Sequence, residues 1–175
     1  MMSPRKIELR QVLAGHSDRV RAVDFDMEYI VSGSHDKTIK IWNTKSGELV
    51  HTLQGHRDLV TCLQYRNPIV VSGSCDKDIK LWNAKQGTCI KTLEGHETCI
   101  LSIRFNNNRI VSGDKDGKIK VWDLKKALNQ TTPLNDICIK TLNEHTDYVR
   151  CHQFDENQLI SGSKDCTIIV WNFMN

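Results

Sequence analysis

Four sets of residues carry the groups of acid–base chemistry at fixed intervals. They are His16, Ser32, Asp36 and Trp42; His56, Ser72, Asp76 and Trp82; His96, Ser112, Asp116 and Trp122; and His145, Ser161, Asp165 and Trp171. A histidine beside a serine and an aspartate invites a hydrolase reading, in which the base activates the hydroxyl. That chemistry needs one unique constellation with its nucleophile next to its base. A set present four times does something that every unit of the chain needs, so no catalytic residue is assigned. Ser34, on the same strand face as Ser32, leaves open which serine serves in the first set.

The elements that position these residues recur with them. From His16 to His56 to His96 the step is 40 residues, and to His145 it is 49. An alternating run follows each histidine (20–25, 60–65, 100–105, 149–154) and reads as a strand with one buried face. The more apolar Ile-Val-Ser-Gly type of run behind it suits the middle of a sheet covered on both faces. A short turn such as 34–37 then leads to a third strand ending at tryptophan, and Gly47 and Gly87 turn the chain into a fourth. Residues 7–13 look like these outer strands at 48–53, 88–93 and 137–142. The connection 123–136 is longer, begins with the helix-compatible Leu-Lys-Lys-Ala-Leu and predicts a loop on the far rim.

A period near 40, with Gly-His early and Trp-Asp or Trp-Asn late, is the mark of a four-stranded propeller blade. The chain therefore resembles the WD-repeat family. The expected fold is all-β, a propeller portion with four blades of four antiparallel strands at about 14–53, 54–93, 94–142 and 143–175, part of a larger ring, with 7–13 as a spare outer strand. In that family the matching residues form a buried relay from the Trp indole through Ser and His to Asp. Glu144 in place of Gly before His145 leaves this relay intact.

Composition sets the limits. A formal charge of +3 without any block of Lys or Arg does not point to nucleic acid. Seven cysteines without a Cys-x-x-Cys pair argue against zinc and against a disulfide framework, and read as reduced thiols. No metal or cofactor is expected. Neither a signal peptide nor a membrane-length apolar run stands out, so a cytoplasmic or nuclear location and no membrane partner are expected.

A closer resemblance rests on Val23-Asp24-Phe25, Cys62-Leu63-Gln64-Tyr65-Arg66, Leu93-Glu94-Gly95-His96-Glu97, Arg109-Ile110-Val111-Ser112-Gly113, the run from Asp116 to Leu124 and the ending Trp171-Asn172-Phe173. These stretches are similar to the last four blades of the beta-TrCP family, the F-box and WD-repeat substrate receptors of SCF-type ubiquitin ligases. The resemblance implies a non-enzymatic module that reads a phosphorylated or acidic peptide on the rim carrying the turn aspartates. The reading face departs from that family: Arg21 stands for Asn, His35 for Gly, Asp58 for Arg, Leu59 for Gly, Cys75 for Ser, Cys99 for Leu, Leu101 for Arg, Lys115 for Tyr and Tyr148 for Arg. With Arg19, Arg150 and Lys164, the changed set remains rich in cations and implies altered specificity, while Asp58 would repel phosphate or accept a basic residue of the ligand. The alternative is a general WD-repeat assembly scaffold with no degron recognition. No F-box is recognisable, so SCF-type ligase subunits are partners only through a longer chain or an F-box partner. Three closures stand open: a four-bladed ring, a piece of a longer product, and a homodimer trading strands into eight blades.

Overall fold

The computed structural model describes residues 7–173. Its strands form four antiparallel meanders. The first holds β1 (Val20–Phe25), β2 (Tyr29–Ser34), β3 (Ile39–Asn43) and β4 (Leu49–Leu53); the second holds β5 (Val60–Arg66), β6 (Ile69–Ser74), β7 (Ile79–Asn83) and β8 (Thr88–Leu93). The third is β9 (Ile100–Phe105), β10 (Arg109–Asp114), β11 (Ile119–Asp123) and β12 (Cys138–Leu142). The fourth holds three strands among the described residues, β13 (Val149–Phe154), β14 (Gln158–Ser163) and β15 (Ile168–Asn172), so the architecture is the expected all-β arrangement of antiparallel blades. Residues 7–13 pair with no strand; Arg10 and Gln11 instead donate to the backbone carbonyls of Lys45 and Ser46.

The long third connection folds into α1 (Leu124–Leu128), capped by the Asp123 carboxylate accepting the Lys126 N–H, followed by a 3₁₀ turn at Leu134–Asp136. An aspartate at the N-cap satisfies one of the free amides of the first turn. Lys91 holds the loop by donating to the carbonyls of Asn129, Gln130 and Thr132.

Successive meanders pack face to face, and period-two alternation puts the same positions at each junction. Val31, Ile39 and Ile41 of the first blade meet Val60, Leu63 and Tyr65 of the second. Val71, Ile79 and Leu81 meet Ile100, Ile103 and Phe105 of the third. Val111, Ile119 and Val121 meet Val149 of the fourth. Each fully buried aliphatic side chain of this kind contributes about 1.5–3 kcal/mol, so the junctions rather than the single sheets hold the arc.

A register irregularity recurs at the start of every innermost strand. Val20 pairs with Ser34 but Ala22 with Gly33; Val60 with Ser74 but Cys62 with Gly73; Ile100 with Asp114 but Ser102 with Gly113; Val149 with Ser163 but Cys151 with Gly162. Each time one residue is left over: Arg21, Thr61, Leu101 and Arg150. A bulge of this sort re-aims its extra side chain, and here it decides which residues reach the centre of the arc.

Candidate functional site

The four polar sets close on themselves. In the first blade the Trp42 indole N–H donates to Ser32 Oγ (2.9 Å), which lies 2.8 Å from His16 Nε2, while His16 Nδ1 is 2.7 Å from Asp36 Oδ2. The ionised carboxylate can only accept, so Nδ1 carries the hydrogen of the neutral ring; Nε2 is then the acceptor, and the serine hydroxyl, itself accepting from the indole, gives its proton to it. The second and fourth blades repeat this with His56 2.9 Å from Asp76 and His145 2.7 Å from Asp165. Ser32, Ser72, Ser112 and Ser161 are all buried and already bonded to an indole. A hydroxyl so placed has no free approach for substrate, and its one proton is already committed to the histidine. Ser34 is engaged elsewhere, its Oγ accepting the Asp36 N–H and donating to the Asp18 carbonyl.

The third blade corrects the expected assignment. His96 Nδ1 is 2.8 Å from Asp114 Oδ2, and exposed Asp116 takes no part in the relay. Asp114 occupies the position that Ser34, Ser74 and Ser163 hold in the other blades, where the side chain is turned into the blade. Its Oδ1 accepts the N–H groups of Asp116 and Lys118, so one carboxylate replaces both the serine and the turn aspartate. The clue in the sequence is Ser-Gly-Asp where the other blades read Ser-Gly-Ser. Burial pushes the Asp114 carboxyl up, but the His96 ring and those two amides outweigh it and hold the carboxyl below its ordinary range. At Asp36 burial is likewise outweighed, by the Thr38 hydroxyl, the His16 ring and two amides.

With the shared residues committed to the relay, function falls to what the blades do not share. The four bulge residues, Arg21, Thr61, Leu101 and Arg150, line one cavity of about 380 Å³ at the centre of the arc, together with Arg104 and His152. Three guanidinium groups therefore border one space, and among the described residues none of the three makes an ion pair with a carboxylate. Beside it, Tyr148 gathers three cations over its ring: Lys164 at 4.6 Å, Arg150 at 5.3 Å and Lys115 at 5.4 Å. Cation–π attraction of about 0.5–1 kcal/mol at exposed sites offsets part of their mutual repulsion. Lys164 also meets Asp147 at 3.3 Å.

Of the residues expected on the rim, Arg21, Leu101 and Arg150 thus come together in the cavity, and Lys115, Tyr148, Arg150 and Lys164 around the ring, with Arg150 common to both. His35 sits beside Arg19 through a backbone bond, outside both groups, and Asp58 caps its own loop by accepting the Leu59 N–H. Arg104 and His152 escape a reading of the sequence because they fall within regular strand alternation. The structure also pairs Cys75 with Cys99, joining the turn of the second blade to the start of the third across this rim, against the reduced-thiol expectation. The two are 24 residues apart and meet only because neighbouring blades place turn against strand start.

His152 spans the junction between the third and fourth blades. Its Nε2–H donates to the Val111 carbonyl and its Nδ1 lies 3.0 Å from Ser102 Oγ. Burial lowers it to about 4, with the Val111 bond opposing and the Arg104 charge adding to the shift. A histidine held neutral in the fold but free to charge when unfolded stabilises fully above its unfolded value near 6.5, and that stability is lost as pH falls toward 4. The loss amounts to about 3 kcal/mol over this window. Thermal melts should show wild type losing more stability than His152→Gln between pH 7 and pH 4.5; equal slopes would refute the assignment.

Among the described residues no three His, Cys, Asp or Glu side chains cluster as metal ligands, and no helix is long and apolar enough to cross a membrane.

Comparison with known proteins agrees with this geometry. The family described as WD domain, G-beta repeat, matches residues 7–43, 47–83, 87–123 and 136–172. Ribosome biogenesis protein BOP1 homologs of Drosophila grimshawi and Drosophila ananassae are each 51% identical over 41 residues, 22% of this chain and 5% of theirs. The chain thus matches a small part of the length of these curated relatives. Among solved structures, the computationally designed Ika8 protein superposes with a TM-score of 0.82 and 37% identity over 92% of this chain and 48% of its own. The computationally designed Ika4 protein does so with a TM-score of 0.83 and 36% identity over 95% of this chain and all of its own. Four family matches, each enclosing one closed indole–serine–histidine–aspartate relay, place the chain in the WD40 repeat family, whose domains are non-catalytic protein-interaction scaffolds.

Proposed function

We propose that this chain is an assembly scaffold that holds a protein partner at the mouth of its central cavity. The observation that carries the reading is the division of labour between repeated and unrepeated residues. The relay consumes the polar groups common to all four blades, whereas the bulge residues follow no fourfold pattern, being Arg in the first and fourth blades, Thr in the second and Leu in the third, and face one shared space. The 41-residue match to the BOP1 homologs supports the repeat unit and not those proteins' role.

A finer reading favours an acidic or phosphorylated segment as the bound element. Arg21, Arg104 and Arg150 around one cavity, and Lys115 and Lys164 beside Tyr148, offer charge-assisted hydrogen bonds to carboxylate or phosphate oxygens. The resemblance to F-box and WD-repeat receptors supports a role in ubiquitin ligation, with the adaptor supplied by an F-box elsewhere. Arg21→Glu combined with Arg150→Glu tests it. A fluorescent peptide bearing two phosphoserines should bind wild type and lose about 10- to 100-fold in affinity on the variant. Equal binding of the unphosphorylated peptide, or no change on charge reversal, would leave the general scaffold and remove the acidic-segment reading.

A further inference from the structure

Both open faces of the arc are halves of a junction that it already makes three times. At each internal junction an aliphatic side chain of one blade inserts over a glycine of the preceding one. A Cβ built on Gly33 would lie 2.8 Å from Val60 Cγ1, one on Gly73 2.7 Å from Ile100 Cγ2, and one on Gly113 2.6 Å from Val149 Cγ1. Each glycine is therefore a socket that only a missing side chain keeps open. Gly162 is the fourth socket, and the side chain nearest it is Cys151 of its own blade. It opens into a groove of about 320 Å³ bordered by Ile160 and Ile168. Val20 is the matching knob, 55% exposed where Val60, Ile100 and Val149 are fully buried. The same holds beside it. Val23 and Phe25 stand exposed at the positions of buried Leu63 and Tyr65, and Ile168 is 75% exposed where Ile39, Ile79 and Ile119 are fully buried.

A second observation concerns the strand that β15 lacks. Between third and fourth strands a lysine faces a threonine in the register pairs Lys40–Thr52, Lys80–Thr92 and Lys120–Thr141, its ammonium donating to the hydroxyl at 2.7–3.0 Å. In the fourth blade the lysine is replaced by Ile169, and at the threonine's position in residues 7–13 stands Val12, 76% exposed. Both members of the pair have changed together, from polar to apolar, which is what a direct Ile169–Val12 contact needs. In the same register Leu13 would face Ile168, and Leu9 would face Trp171 where Leu49 faces Trp42. The chain's own residues 7–13 do not reach β15, since they lie along the Lys45–Gly47 turn with Ile7, Leu9 and Val12 exposed.

We propose that two copies of this chain close a ring of eight blades. Residues 7–13 of each complete the fourth blade of the other, and Val20 of each seats on Gly162 of the other. The contact is head-to-tail and occurs twice, so a two-fold axis closes it without open ends. The surface offered continues the blade-to-blade interface already present three times. The superposed Ika8 chain, of which this arc covers 48%, has room for one further arc of this size. The central cavity gains a second set of bulge residues and becomes enclosed.

Light scattering of the purified 175-residue chain should give twice the 20.1 kDa of one copy. Gly162→Val fills the socket on an open face of the monomer, and Val20→Asp charges the knob. Because each substitution strikes both junctions, either should weaken dimerisation by about 100-fold or more, with the β-sheet circular dichroism retained. Mixing Val20→Asp with Ile168→Asp restores one intact junction and should recover dimer that neither gives alone. A wild-type monomer with a cooperative melt, or a ladder of larger oligomers, would overturn the proposal. So would a dimer indifferent to Gly162→Val and Val20→Asp.

Discussion

Trp82→Ala is expected to cost about 3–5 kcal/mol of unfolding free energy, measured by urea titration. The indole is 2% exposed and belongs to the core between the first and second blades, together with Ala84 and Val70. Removing it opens a cavity there and leaves the Ser72 hydroxyl without its donor. Trp82→Phe weighs the two contributions. It keeps one aromatic ring in the core but gives up the fused second ring together with the N–H, so it should cost less than the alanine variant, about 1–3 kcal/mol. If both variants cost the same, the tryptophan acts through its hydrogen bond and the packing account fails.

Asp114→Ala and Asp116→Ala should differ sharply although they lie on the same turn. Asp114 is fully buried against His96 and accepts two backbone amides, so its removal strands three donors at once. Breaking a buried hydrogen-bonded pair of this kind costs about 3–5 kcal/mol, which in a domain of this size lowers Tm by roughly 10 °C. Asp116 is exposed, and its alanine variant should stay within about 0.5 kcal/mol of wild type. The carboxylate pKa directions give the same account a pH signature. Asp36, Asp76, Asp114 and Asp165 are all lowered in the fold, so their stabilisation is present above the ordinary carboxylate range and is lost as pH falls below it.

The repeated frame is legible because a 40-residue step places the same residue type at the same point of every blade, so His16 predicts His56 and His96 without any structure. Where the chain departs from its own repeat, the reading fails for a definite reason. Turn position aligns Asp116 with Asp36, yet the buried partner is decided by which side chain faces into the blade, and that is Asp114. The bulges are hidden because one extra residue in Val20–Phe25 barely disturbs an alternating pattern, yet they are what brings Arg21 and Arg150 to one cavity. Arg104 and His152 give no local signal, since their meeting place is set by the angle between blades. Cys75 and Cys99 likewise meet only through that packing. Val12 and Ile169 look ordinary alone, and carry information only once the register pairs them.

The central claim is that each relay is a structural clasp belonging to its own blade, which leaves the unrepeated residues to bind. Hydrogen exchange of the four indole N–H groups tests it most directly, since each blade contributes one tryptophan and the four are resolved by 15N labelling. In wild type the Trp42, Trp82 and Trp122 indoles should exchange slowly. Asp114→Asn should speed Trp122 alone, and Asp116→Asn should leave all of them unchanged. Faster exchange of Trp122 in Asp116→Asn with none in Asp114→Asn would contradict the relay as described.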